Sequence, residues 1–185
     1  MAIELLDHQI AAKIAAGEVI DRPGSVVKEL MENSIDAGCS RIILETEKGG
    51  LGLIRISDNG CGIPHAEIEL AFQRYATSKL RSVADLTSIA TLGFRGEALP
   101  SIAAVADITI LTRPADSKTG KTVELQNGMV TDKNDCSMAY GTSISVTGLF
   151  ARIPVRLGFL KSITSENMQI QRVITRLALA NPTIS

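Results

Sequence analysis

Glu29, Asn33 and Asp36 stand at i, i+4 and i+7 in the stretch ELMENSIDAG, so on a helix they share one face, with Glu32 beside them. A carboxylate and an amide one turn apart can supply oxygen ligands to a hard cation, or a base beside one. They can equally form an ordinary solvated face. Two details weigh against plain solvation. Lys28 is the one cation on this helix, placed to pair with Glu32. Glu32 and Asp36 also lie toward the negative end of the helix dipole, at a cost of about 0.3–1 kcal/mol each.

Three further stretches carry chemistry of their own. In SDNGCGI, Asp58 follows a β-branched run and precedes Gly60 and Gly62. That is either a tight turn or a pocket at a strand end, where glycines let the backbone approach a flat ligand. An ionised buried carboxylate only accepts hydrogen bonds, which suits an exocyclic amine such as adenine's. TLGFRGEAL runs from a loop with Gly93 and Gly96 into a helix start, where free amides and the positive dipole end can cradle phosphate. ATSK, residues 76–79, adds two hydroxyls and one cation. Two other motifs fail: SKTGKT has Ala115 where a P-loop needs its first glycine, and GLG at 50–52 lacks the third glycine of a dinucleotide fingerprint.

These residues need elements to hold them. Residues 7–19 read as a helix with Asp7 as its cap. A second helix over 25–37 has Ser25 as N-cap, an apolar stripe of Val26, Val27, Leu30, Met31 and Ile35, and Gly38 as its stop. Strands follow at 41–47 and 52–57 around a Gly-rich turn, and PHAEIELAFQRYA is expected to be a helix opening at Pro64. Residues 76–97 read as a mobile loop and EALPSIAAVA as a helix. DITILTR, a hairpin across Asn127-Gly128, and GTSISVTGLF supply the remaining strands. A last helix spans 165–180 and stops at Asn181-Pro182. PTIS looks like a strand begun and cut short, as in a truncated chain. The expected fold is α+β, a two-layer sandwich of helices on a mixed, mostly antiparallel sheet.

The chain has 185 residues, 45% hydrophobic and without Trp, enough for one aliphatic core. A net charge of −1 gives no electrostatic case for nucleic acid or membrane. Three scattered cysteines suit reduced thiols better than a disulfide framework or zinc site. No signal-peptide pattern or membrane-length apolar run is present, so a cytoplasmic location is expected.

Taken in order, IAAGEVIDRPGSVVKELMENSIDAG, DNGCGI, TSK and GFRGEAL resemble the MutL family of DNA mismatch-repair ATPases, over about residues 3–160. That family belongs to the superfamily of gyrase, heat-shock chaperones and histidine kinases. The acid–Asn helix and the Asp-x-Gly-x-Gly loop are features of the superfamily as a whole; the first block and GFRGEAL are similar to MutL in particular. The resemblance implies a GHKL-type ATPase fold and a slow, Mg²⁺-dependent ATPase acting as a nucleotide switch. It implies that Glu29 is the general base that activates water and that Asn33 ligates magnesium. Asp58 would read the adenine amine, with Gly62 against the base and Thr142 supporting recognition. Thr77, Ser78 and Lys79 would belong to the lid near the nucleotide. Gly93, Phe94, Arg95, Gly96, Glu97, Ala98 and Leu99 would form the phosphate-binding junction. Asp36 is left outside the site, as a supporting residue.

The resemblance also implies parts outside these 185 residues: a second subdomain contributing a lysine to the γ-phosphate, a linker and a C-terminal dimerisation domain. Residues 1–185 would then be one GHKL ATPase subdomain, near-inactive alone. ATP would order the lid and pair two such domains in a homodimer that coordinates a MutS-type mismatch-recognition protein and a downstream nuclease or helicase on DNA. Where the family has Asn, Ala and Lys in its LF-x-N-x-P-A-R-x-K-F-L block, this chain has Arg152, Val155 and Gly158. Two other readings stay open: a nucleic-acid module built on Arg152, Arg156, Lys161, Arg172 and Arg176, and a histidine kinase core, for which neither His8 nor His65 has an evident phospho-acceptor helix.

Overall fold

A computed structural model describes residues 7–79 and 96–185. Among them, six strands form one sheet in the order β1-β2-β6-β3-β4-β5 (β1 Ile42–Glu47, β2 Leu53–Asp58, β3 Asp107–Arg113, β4 Gly120–Gln126, β5 Met129–Cys136, β6 Gly141–Thr147). All five ladders are antiparallel. The helices are α1 His8–Val19, α2 Pro23–Asp36, α3 Ala98–Val105, α4 Pro154–Leu157 and α5 Ile163–Ala180. The helices-on-sheet sandwich expected from the sequence is therefore what the chain adopts.

Strand alternation decides which face is covered. Ile56, Ile144, Ile110 and Val123 face one another in register across β2, β6, β3 and β4, and so do Ile54, Val146, Ile108 and Leu125. All eight are buried, as two rows of one core face. α2 lays Val26, Val27, Leu30 and Met31 into that core, α3 adds Ile102 and Val105, and α5 adds Ile170. α1 packs beside α3 and α5 beside α2. One register step beyond the Ile56–Ile144–Ile110 row, the same face ends in Asp58, Thr142 and Thr112. The core thus runs directly into a polar row at one end of the sheet.

The Asn127-Gly128 hairpin joins β4 to β5 with both turn residues at positive φ, 50° and 77°, as a type I′ turn requires. Elsewhere the structure corrects the sequence reading. α2 begins at Pro23, where the fixed φ of proline suits a first helical position. Ser25 is not its N-cap, and its hydroxyl bonds the Asp21 carboxylate instead. PHAEIELAFQRYA is not an α-helix but two 3-10 turns, His65–Glu67 and Leu70–Phe72. Pro64 keeps an extended ψ of 136°, and the segment is tied outward: Arg74 donates to the Ala12 carbonyl, Lys133 pairs with Glu69, and Tyr75 N–H donates to Gly96 O. The short helix α4 went unread. PTIS forms no strand, yet Ser185 donates to Ser40 O and accepts from Ile42 N at the outer edge of β1, at 3.0 and 2.9 Å. No helix among the described residues is long and apolar enough to cross a membrane.

Candidate functional site

A cleft of about 1150 Å³ opens between the polar face of α2, the Asp58–Thr142 end of the sheet, and the start of α3. Glu29 and Asn33 line it from α2, Asp58 and Thr142 from the sheet, and Gly62 from the loop after β2. Thr77, Ser78 and Lys79 line it from one side, and Gly96, Glu97, Ala98 and Leu99 from the foot of α3. Every described residue that the resemblance assigns to a nucleotide site lines this one cleft. Gly93, Phe94 and Arg95 lie outside the described residues, as does most of the 76–97 loop.

The sheet end of the cleft is built on Asp58. Its Oδ2 accepts from Ser34 Oγ at 2.7 Å and its Oδ1 from Gly60 N–H at 2.9 Å. Burial pushes the carboxyl up from its usual range, and hydrogen bonds from Ser34, Gly60 and Thr142 N–H work against that rise. Ser34 Oγ also lies 3.2 Å from Leu30 O. With one proton to give, its shorter, charge-assisted bond is to Asp58. Ser34 is buried and was missed in the sequence. The clue was a hydroxyl beside Leu30 and Ile35 on a stripe otherwise apolar.

The glycines of DNGCGI have a nearer purpose than ligand approach. A Cβ on Gly60 would lie 2.8 Å from the Ala37 carbonyl oxygen, and Cys61 N–H donates to that same oxygen at 3.0 Å. Gly62 has φ +73°, and a Cβ there would lie 2.6 Å from the Arg113 carbonyl oxygen. The loop is thus clamped between the end of α2 and β3. Gly62→Ala should therefore lower the stability of the nucleotide-free protein by about 1–3 kcal/mol. Thermal unfolding without ligand checks this, and an unchanged midpoint would return Gly62 to a purely ligand-facing role.

At the other end, Lys79 Nζ sits 3.0 Å from Asn33 Oδ1 and 2.5 Å from Asp36 Oδ2. Two oxygens of α2 already converge on one positive charge. The site therefore suits a cation, with an ammonium standing where a metal could. Asp36, expected to stay outside the site, shares this charge and lines the cleft. The described residues include no group of three or more His, Cys, Asp or Glu able to hold a metal alone. A magnesium ion here would need phosphate oxygens and water to complete its shell, which is its usual habit. Lys28 bonds both Glu29 Oε1 at 3.1 Å and Glu32 Oε2 at 2.9 Å. Burial pulls the Lys28 ammonium down, but the two carboxylates outweigh it and hold it above its usual value.

The end of the cleft at the foot of α3 follows from chain geometry. Gly96 has φ +61°, and a Cβ there would lie 2.5 Å from the Ala76 carbonyl oxygen, so only glycine lets the two segments touch. Thr77 Oγ1 accepts from Lys79 N–H at 3.1 Å and shapes the turn. Among the described residues no side chain caps the start of α3, so its first amides can meet an anion. Among the described residues, Glu29, Glu32, Asp36, Asp58, Glu67 and Glu97 line the cleft against Lys28 and Lys79. A polyphosphate entering so acidic a cleft needs a cation with it.

The rejected P-loop match opens β4, where Lys121 pairs with Asp135 at 2.6 Å. Arg172 and Arg176 share a shallow groove on α5 with Met168, Gln171 and Thr175. It has no aromatic to stack a base, and it is separate from the cleft.

The sequence profile of the histidine kinase-, DNA gyrase B- and HSP90-like ATPases matches residues 22–147. The DNA mismatch repair protein MutL of Geotalea daltonii is 50% identical over 98% of this chain, and that of Methanothrix thermoacetophila 50% over 99%. The chain spans 30% and 33% of those two proteins. Among solved structures, the Aquifex aeolicus MutL ATPase domain complexed with ADP superposes with a TM-score of 0.73 at 32% identity, covering 90% of this chain and 58% of that one. The N-terminal domain of a DNA repair protein does so with a TM-score of 0.79 at 32% identity, covering 94% and 50%. The chain belongs to the family of histidine kinase-, DNA gyrase B- and HSP90-like ATPases, and within it to the MutL mismatch-repair proteins.

Proposed function

We propose that the cleft binds ATP with a magnesium ion and supports its slow hydrolysis to ADP and phosphate, as the nucleotide switch of a MutL-type mismatch-repair protein. The observation that carries this reading is the convergence of the Asp58–Thr142 row, the acid–amide face of α2 and the uncapped start of α3 on a single cleft. Asp58 accepts from the adenine amine, and the amides at 96–99 receive the phosphates. Glu29 takes a proton from the attacking water as its oxygen bonds the γ-phosphorus and the bond to the β–γ bridging oxygen breaks. Asn33 would hold a magnesium ion on the protein side, and that ion would supply charge neutralisation for the phosphates.

Lys79 occupies Asn33 Oδ1 in this structure, so nucleotide with magnesium must displace it. Asn33→Ala should then weaken binding of an ATP analogue about tenfold or more with magnesium present, and far less when magnesium is chelated. Calorimetric titration under both conditions tests it, and equal losses would make Asn33 structural. Residues 1–185 form a single ATPase subdomain in this reading. Turnover by them alone should be barely above background, because the family resemblance puts the γ-phosphate lysine in a further subdomain. In the whole protein, ATP-driven lid ordering and homodimerisation would coordinate a MutS-type protein and a nuclease or helicase on DNA in the cytoplasm. Support for those roles is the kinship with mismatch-repair proteins.

A further inference from the structure

The oxygens of α2 that suit a metal ion already hold a positive charge. Lys79 Nζ donates to Asn33 Oδ1 at 3.0 Å and to Asp36 Oδ2 at 2.5 Å. The pair is largely shut off from water: the Asp36 side chain is 7% exposed and that of Lys79 20%. Water therefore screens it little, and an ion taking those oxygens has to break it. The ammonium is also held from its own side. Lys79 N–H donates to Thr77 Oγ1, the Ala76 carbonyl lies against Gly96, and Tyr75 N–H donates to Gly96 O. Residues 75–79 thus present the ammonium to α2 from a turn anchored at the foot of α3.

An ammonium and a divalent cation cannot share the same two oxygens. Against a bare cation, which brings only water as further ligands, Lys79 gives up a desolvated partner and gains none. Against a cation carried on a polyphosphate the balance reverses. Phosphate oxygens complete the cation's shell, and they accept from the released ammonium, because Lys79 and the start of α3 line the same cleft. The cleft lining is acidic among the described residues, so without this ammonium it would collect free cations.

We infer that Lys79 is a specificity-determining residue for the metal: it keeps free divalent cations off Asn33 and Asp36 and yields those oxygens only to a cation that arrives with nucleotide. This rests on the reading of the cleft as a magnesium–nucleotide site.

The test is a titration of the nucleotide-free chain with Mn²⁺, a substitute for magnesium whose free ion is counted by electron paramagnetic resonance. K79M should bind Mn²⁺ about tenfold or more tighter than the unaltered chain, the worth of one charge-assisted hydrogen bond taken from the competing side. K79R, which keeps the charge, should stay near the unaltered value, and the double variant K79M/N33A should lose the gain. Equal affinities in K79M and the unaltered chain, a K79R gain as large as that of K79M, or a gain that survives N33A would each overturn the inference and leave the Lys79 contacts as an ion pair without bearing on the metal. Should K79M fail to fold, K79Q is read the same way. If ADP with Mn²⁺ does not bind the unaltered chain at all, the reading of the cleft itself fails instead.

Discussion

Asp58→Ala should weaken nucleotide binding by about 100-fold or more in dissociation constant, while the sheet and helices remain. The side chain is the acceptor that α2, the DNGCGI loop and β6 jointly hold, through Ser34 Oγ, Gly60 N–H and Thr142 N–H. Its loss leaves those donors facing an empty position and no anion for an exocyclic amine. The pH dependence has a definite sign. Burial, only partly offset by those three donors, raises the folded-state carboxyl above the usual carboxylate range. Its stability contribution is therefore full below the usual range and is lost as pH rises through the raised value. If Asp58 accepts from the adenine amine as proposed, binding needs the ionised form, and affinity should fall as pH drops through that same window. Stability without ligand and affinity move in opposite directions there. Asp58→Asn should flatten both trends, since it keeps the shape and cannot ionise. Thermal unfolding and calorimetry across that pH range check this. A parallel fall of both quantities on acidification would mean that Asp58 is not the group that titrates.

The sequence made local features legible and left cross-strand ones dark. α2 could be placed because its apolar stripe, its proline start and its glycine stop lie within sixteen residues. The Asn127-Gly128 hairpin is as local. The row Asp58–Thr142–Thr112 is another matter. Asp58 was legible from the SDNGCGI loop itself, and Thr142 came through family resemblance. Thr112 did not emerge, because its place beside Thr142 depends on β6 entering the sheet between β2 and β3. The inward period of Ile108, Ile110 and Thr112 was available as a clue: a hydroxyl ending an apolar face. The segment after Pro64 failed for the opposite reason. Its composition favours a helix, but contacts to α1, β5 and Gly96 outweigh local propensity. Lys79 lines the cleft, yet nothing in TSK announced that its ammonium would sit on Asn33 and Asp36, which is a matter of tertiary geometry.

Glu29→Ala should leave nucleotide affinity within about twofold of the unaltered protein, yet reduce turnover by about 100- to 1000-fold, the usual worth of a positioned base. The structure explains why the two effects separate. Glu29 faces the cleft from the middle of α2, and its partner here is Lys28. Lys28 keeps a second partner, Glu32 at 2.9 Å, so removing Glu29 strands no buried charge and leaves α2 in place. The Asp58–Thr142 row and the α3 start are untouched, so binding should survive. The chemical step would lose the proposed base, a cleft-lining carboxylate of α2 whose partner is Lys28 rather than Lys79. Glu29→Gln keeps the size and hydrogen-bonding reach but cannot take a proton, so it should be as inactive as the alanine variant. Phosphate release by the full-length protein, set against calorimetric binding of a non-hydrolysable analogue, separates the two quantities. Activity retained in Glu29→Gln would remove Glu29 from the base role and leave it as an electrostatic neighbour of Lys28. Binding lost together with turnover would mean that the Lys28–Glu29–Glu32 cluster holds the shape of the cleft.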